Sequence, residues 1–210
     1  MTRPPRPTLV YLLIGVLSWP LVRLLFRYRA RGVEHLPRAG GYVLAANHSS
    51  NFDPWVLGMA LFPRRFLRFM AKSELFWFPL GPFIAGAGAF QVRRGHRDLE
   101  AIRTAQELAR QGHVIAMFPE GTRRRKGLRK KRQAEAHSGA ARIALGADVP
   151  LVPAAIGGTA SLRRLAPLRV VYGEPVPTDD LRDLDPGEAA RVATDRLMER
   201  IRVLEASLER

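Results

Sequence analysis

The sequence contains no cysteine, which excludes a disulfide framework, a thiolate metal site and a covalent thioester carried on the protein itself. Acidic residues are scarce: 19 Asp and Glu stand against 34 Lys and Arg, a formal charge of +15. That balance suits a polyanionic partner such as nucleic acid, an anionic membrane or a phosphorylated substrate, and composition does not choose among them. There is no internal repeat and no Gly/Ser-rich linker, so nothing calls for a second folded domain. No apolar run reaches the roughly 20 residues that a comfortable bilayer span needs. What is present, 210 residues of which 47% are apolar and 25% charged, is the composition of a globular domain with a substantial core.

The charge is unevenly spread. The first 33 residues hold six arginines and no acid, and they also contain the most apolar stretch of the chain, Thr8 to Val22, bounded by Arg6 and Arg23. Extending it to Phe26 requires one arginine to snorkel, and Pro20 is expected to kink or end a helix there. A helix lying in the membrane interface, or a short re-entrant pair, fits this better than a span. A signal peptide is the competing reading, but no small-residue cleavage site follows the apolar run. The expected organisation is a membrane-associating segment over residues 1–33 and a single domain over residues 34–210.

From about Gly41 onward, short apolar runs alternate with helical patterns, the signature of an α/β fold. Strands are expected at Tyr42 to Ala46, Phe66 to Met70, Ala89 to Val92, His113 to Phe118, Leu151 to Ile156 and Leu168 to Tyr172. Asp98 to Gln111 places Leu99, Ile102, Ala105, Leu108 and Ala109 at helical spacing, with Gly112 where a C-terminal cap belongs. Asp185, Pro186 and Glu188 form a helix start signal before the apolar face Val192, Leu197, Ile201, Leu204 and Leu208.

Three segments carry candidate chemistry. In "NHSSNFDP", Asn47 to Pro54, a strand gives way to a helix across a tight turn, and five residues can bring His48 and Asp53 together. A histidine that deprotonates a hydroxyl presents one ring nitrogen to it, while a carboxylate on the other fixes the tautomer. The plainer alternative makes Asp53 a helix N-cap ahead of Pro54 and His48 a turn residue. In "MFPEGTRRR", Met117 to Arg125, Gly121 and Thr122 can aim backbone amides and a hydroxyl at an anion, and Arg123 offers a fork matched to phosphate oxygens. An ordinary turn followed by solvated charge is the alternative. In "GAFQVRRG", Arg93 or Arg94 is either a second phosphate ligand or a surface arginine.

Taken together, these segments resemble the glycerophosphate and lysophosphatidate acyltransferase family. Its first motif, Asn followed by His and then Asp five positions beyond the His, reads Asn47, His48, Ser49, Ser50, Asn51, Phe52, Asp53. Its third is carried by Phe118, Pro119, Glu120, Gly121, Thr122 and Arg123, and its fourth by "VPLVPAAI", Val149 to Ile156. The second is met by Phe90 and Arg93, with Ala87 where a glycine is usual and Gly86 and Gly88 on either side. "KSEL" at Lys72 to Leu75 and "PLG" at Pro79 to Gly81 also match the family's link between its first two motifs.

The resemblance implies a single α/β domain with a mixed, largely parallel sheet flanked by helices. It implies transfer of a fatty acyl group from acyl-CoA or acyl carrier protein to the free hydroxyl of lysophosphatidate, by direct attack and without an acyl-enzyme, in phospholipid biosynthesis. His48 is then the general base and Asp53 its orienter, with Arg93, Glu120, Gly121, Thr122 and Arg123 as acceptor-phosphate or structural groups. An ionised Glu120 would repel phosphate, so it is expected to hold an arginine or the turn. No cofactor and no metal are expected. The partners implied are the donor, the lysophospholipid acceptor and an anionic membrane surface, at the cytoplasmic face of the cell membrane.

"LFWFPLGPFIAG", Leu75 to Gly86, either lines an acyl groove, dips into lipid or is an ordinary buried helix. Eight of the ten residues Arg123 to Arg132 are basic, suited to headgroups, CoA phosphates or an acidic carrier, or else a solvated loop. A nucleic-acid-binding protein would explain the charge but neither the apolar N-terminus nor the motif set, so no nucleic acid is expected. A catalytically silent scaffold is at odds with the intact His48, Asp53 and "FPEGTR". Glycerol 3-phosphate or another lysolipid remains an alternative acceptor, and the small size favours lysophosphatidate.

Overall fold

A computed structural model describes residues 6–92, 99–120 and 137–208. Thr8, at the N-cap, accepts a hydrogen bond from the Tyr11 amide and opens helix α1, Leu9–Leu25. Pro20 neither ends nor delimits that helix, contrary to expectation. It falls near the C-terminus, and the helix continues through Arg23 to Leu25.

Strand β1, Arg29–Arg31, follows at once, and then β2, Tyr42–Ala46; α2, Asp53–Gly58; β3, Leu67–Lys72; α3, Leu80–Gly86; and β4, Ala89–Val92. After these come α4, Leu99–Arg110; β5, Val114–Met117; α5, Gly139–Ala147; β6, Leu151–Gly157; β7, Arg169–Tyr172; and α6, Pro186–Leu208. The Asp185 carboxylate starts α6 by accepting from the amides of Gly187 and Glu188.

All seven strands form one sheet in the order β1-β7-β6-β2-β5-β3-β4. The five from β6 to β4 run parallel, β7 is antiparallel to β6, and β1 runs alongside β7. The sheet is therefore mixed and largely parallel. Each expected strand is present within a residue or two of its expected ends, and β1 was not expected at all. "RAR" has no apolar run, and it sits at the sheet edge, where among the described residues β7 is its one strand partner.

β2 is buried throughout, and its side chains divide the core by alternation. Val43 and Ala45 face α4, α5 and α6, where alanines at 101, 105, 109, 140, 141 and 144 allow close approach. Tyr42, Leu44 and Ala46 face the other layer with Val22 of α1 and Val56 and Leu57 of α2. At the end of the sheet where β2, β3 and β5 begin, the Arg65 guanidinium is buried and donates to the carbonyls of Pro37, Arg38, Gly40 and Gly112. Those four dipoles take the place of a counter-ion.

The departure noted at Ala87 resolves here. Gly88 has φ +111°, and a Cβ on it would collide with the Leu67 carbonyl, whereas Ala87 is in the ordinary right-handed region. The turn into β4 needs its glycine one residue later than the family pattern places it.

Candidate active site

β2, β5 and β6 end side by side, and the crevice beyond the carboxyl ends of such strands is where open α/β sheets bind ligands. Asn47 leaves β2 and grips β6. Its Nδ2 donates to the Ile156 carbonyl at 3.0 Å, and its Oδ1 accepts from the Ile156 amide at 2.7 Å. The side chain continues the ladder by one rung after the backbone has turned away. The fourth motif segment is thereby locked to the first.

The turn that follows is organised by Asp53, which is fully buried. Its Oδ2 accepts from His48 Nδ1 at 2.8 Å, from the Ser49 amide at 2.6 Å and from the Ser50 amide at 2.8 Å. The N-cap alternative fails: Phe52 occupies the cap position and Asp53 is the first residue of α2, with its carboxylate directed back over the turn. Burial alone would push the Asp53 carboxyl up. Hydrogen bonds from His48 and from the Ser50 and Ser49 amides, with the Thr159 hydroxyl nearby, outweigh it and hold the group below its ordinary range. Thr159 acts here without full hydrogen-bond geometry: among the described residues, its hydroxyl and Asp53 Oδ1 are both buried without a partner.

An ionised carboxylate only accepts, so the proton between the pair belongs to His48 Nδ1 and the basic nitrogen is Nε2. Phe118, just past β5, stacks on the imidazole with centroids 4.3 Å apart. The His48 side chain keeps 17% of its surface open. Such an arrangement can accept a proton from a bound hydroxyl and stabilise the imidazolium that results.

The structure thus brings together His48, Asp53 and Phe118, and Glu120, two residues beyond Phe118, is half-buried. Arg93, Gly121, Thr122 and Arg123, together with the basic run to Arg132, lie outside the described residues. The Pro119 carbonyl accepts from the His137 amide, so the chain on either side of 121–136 meets at this edge of the crevice. Asn47 as a clamp, Phe118 as a stacking partner and Thr159 beneath Asp53 were not foreseen as such. An Asn at a strand end reads as a turn residue, and nothing local marks a partner 109 residues away.

A second surface is the outer face of α1. Leu9, Leu13, Val16, Leu17, Leu21 and Leu24 recur at helical spacing and are exposed, Leu17 at 73% and Leu24 at 78%. Tyr11, Gly15, Ser18 and Val22 make the opposite face. Tyr11 packs edge-on to Phe66, Gly15 abuts Phe62, Ser18 accepts from Trp55 Nε1, and Val22 is buried. Thr8 donates to the Gly86 carbonyl, joining α1 to the end of α3. The segment from Leu75 to Gly86 is not an ordinary buried helix: Trp77 and Phe83 are more than half exposed and Phe78 is 84% exposed. Among the described residues, no helix is long and apolar enough to cross a membrane.

A family profile described as Acyltransferase matches residues 27–157. The chain is 34% identical over 182 residues to the 1-acyl-sn-glycerol-3-phosphate acyltransferase of Bacillus subtilis (strain 168), covering 84% of this chain and 87% of that one. It is also 34% identical to the 1-acyl-sn-glycerol-3-phosphate acyltransferase alpha of Homo sapiens, covering 79% of this chain but spanning only 61% of that longer protein. In three dimensions it resembles the crystal structure of the 1-acyl-sn-glycerophosphate (LPA) acyltransferase PlsC from Thermotoga maritima. The TM-score is 0.64 at 25% identity, over 91% of this chain and 78% of that one.

Proposed function

The chain belongs to the acyltransferase family, and we propose that it moves a fatty acyl group from acyl-CoA or acyl carrier protein onto the free hydroxyl of lysophosphatidate, making phosphatidate. The observation that carries this is the His48 Nδ1 to Asp53 Oδ2 bond of 2.8 Å, which leaves Nε2 as the free base at the mouth of the crevice. His48 takes the proton of the acceptor hydroxyl as its oxygen attacks the thioester carbonyl. The new ester bond forms as the C–S bond breaks, and His48 gives the proton to the departing sulfur, which leaves as the free thiol. Asp53 stays ionised and steadies the imidazolium. A positioned base contributes about 10² to 10⁴ in rate, and correct placement of both reactants contributes more.

Arg93 and Arg123, with Gly121 and Thr122, supply that placement by holding the acceptor phosphate, and Glu120 holds an arginine or the turn. The exposed leucines of α1, with Trp77, Phe78 and Phe83, sit in the membrane interface on the cytoplasmic side, and the excess of basic residues draws the protein to anionic lipid. Acceptor and enzyme then share one surface.

The test is purified protein assayed with lysophosphatidate, glycerol 3-phosphate and other lysolipids, each against acyl-CoA and acyl carrier protein. Phosphatidate formed from lysophosphatidate with either donor is the expected result. Transfer to another acceptor in its place would reassign the substrate, and no transfer from any thioester would remove the enzymatic reading.

A further inference from the structure

The Asp53 carboxylate is held asymmetrically. Oδ2 receives three donors, while Oδ1, equally buried, has no hydrogen-bond partner among the described residues. A carboxylate fixed through one oxygen can still pivot about it, and a buried anionic oxygen without a donor is costly. Thr159 presents the complementary deficit. It is 3% exposed, its hydroxyl likewise has no partner among the described residues, and its side chain faces that carboxyl.

The chain brings Thr159 there by construction. Asn47 fastens Ile156 to the catalytic turn through both of its backbone groups. Two residues on, Gly158 has φ +91°, and a Cβ there would strike the Pro167 carbonyl, so only glycine makes the bend that swings Thr159 inward. Thr159 then opens the 3₁₀ turn Thr159–Arg164 and lies beyond the segment matched by the family profile, which ends at 157. Its hydroxyl rotates freely to suit an acceptor, whereas its branched Cβ restricts where the oxygen can sit.

We propose that Thr159 is a positioning residue for the His48–Asp53 pair, donating its hydroxyl hydrogen to Asp53 Oδ1 and so fixing the plane of the carboxylate that orients the imidazole. The role rests on His48 being the general base. Contact between the two orphaned atoms satisfies both. Without the hydroxyl, the carboxylate loses a donor and becomes more basic. It is then protonated more readily and holds the imidazolium proton more tightly, and both changes carry the acid limb of activity to higher pH.

The experiment is steady-state transfer to lysophosphatidate across pH for the parent, Thr159→Ser, Thr159→Val, Thr159→Ala and His48→Ala, with folding of each checked by circular dichroism and thermal melting. Thr159→Val and Thr159→Ala are expected to lose about tenfold in kcat, the scale of one hydrogen bond to a charged acceptor. The acceptor KM should stay close to the parent value, and the acid limb of kcat/KM should move up. Thr159→Ser keeps the hydroxyl and should recover most of the rate. If Thr159→Val does not fold, Ser against Ala makes the same comparison, since that pair also differs only by the hydroxyl. Folded Val and Ala variants with the parent's kcat and pH profile, beside an inactive His48→Ala, would overturn the positioning role alone. A folded His48→Ala enzyme at the parent rate would overturn both the general-base assignment and this role.

Discussion

Phe118 lies against the imidazole of His48 with the two planes 21° from parallel. The adjacent parallel strands β2 and β5 deliver these two residues, and with them the first and third motif segments, to one place. The stack covers one face of the ring while Asp53 occupies Nδ1, and it is the Nε2 edge that the proposed mechanism uses.

Removing the base should abolish turnover without unfolding the protein. His48→Ala is expected to lose at least about 10² in kcat. Asp53→Ala should be inactive as well, but also less stable by about 1–3 kcal/mol, because the Ser49 and Ser50 amides lose their acceptor in a buried setting. Initial rates together with urea denaturation separate the two outcomes.

Asn47 should prove structural and catalytic at once. Asn47→Leu leaves the Ile156 amide and carbonyl unpaired, at an expected cost of about 2–4 kcal/mol in folding stability. Asn47→Asp keeps the acceptor for the amide but sets a carboxylate against the Ile156 carbonyl, so at neutral pH it should also be less stable than the parent. A denaturation midpoint for Asn47→Leu equal to the parent's would show that the clamp carries no weight.

Arg93→Lys and Arg123→Lys retain charge but lose the two-pronged geometry that matches phosphate. The acceptor KM should rise several-fold while the donor KM moves little, and a lysolipid without the phosphate, already poor with the parent, should be barely worsened. Initial rates with acceptor and donor varied separately check this. A rise confined to the donor KM would place these arginines on the CoA or carrier side.

Substituting Leu13, Leu17 and Leu24 together by Ser should release the protein from anionic vesicles while leaving its fold intact. These side chains lie on the exposed face of α1, whereas Tyr11, Gly15 and Val22 do not. High salt alone should release the parent only in part, since screening weakens the charge attraction and not the apolar burial. Co-sedimentation with vesicles measures both, and full release of the parent by salt would make the association purely electrostatic.

His113 should make the fold acid-sensitive. Burial and the nearby Arg68 and Arg65 push its pKa down from 6.5 to about 4. Between those two values the unfolded chain binds the proton and the folded one does not. The stability this group contributes is therefore complete above the unfolded value and declines as pH falls through the window. Urea midpoints at neutral pH and near pH 5 should differ for the parent and converge for His113→Gln.

Much of this architecture was legible in the chain because the strands that form the core are uninterrupted apolar runs, as in Tyr42 to Ala46 and Leu151 to Ile156. The His48–Asp53 pair was legible because both partners belong to one turn. Three features were not. β1 has no apolar signature and, as the edge strand, depends on β7 far along the chain. α5 is built largely from alanine and glycine, whose faces differ too little to show a period, yet those small residues let it nest against α4 and the sheet. Asn47 and Thr159 act across the gap between β2 and β6, and only the folded sheet brings their partners within reach.

The splice between α1 and β1 has a mechanical meaning. Only three residues separate helix from strand. The Phe26 carbonyl accepts from the Leu168 amide, the Arg29 amide donates to the Leu168 carbonyl, and the Tyr28 amide donates to the Val22 carbonyl. These bonds leave no hinge between α1 and the sheet that carries His48. With α1 seated in the membrane interface as proposed, the height and tilt of the crevice above a bilayer would follow from the fold itself, and a lysolipid would be met at one set depth rather than sought by a tethered, swinging domain.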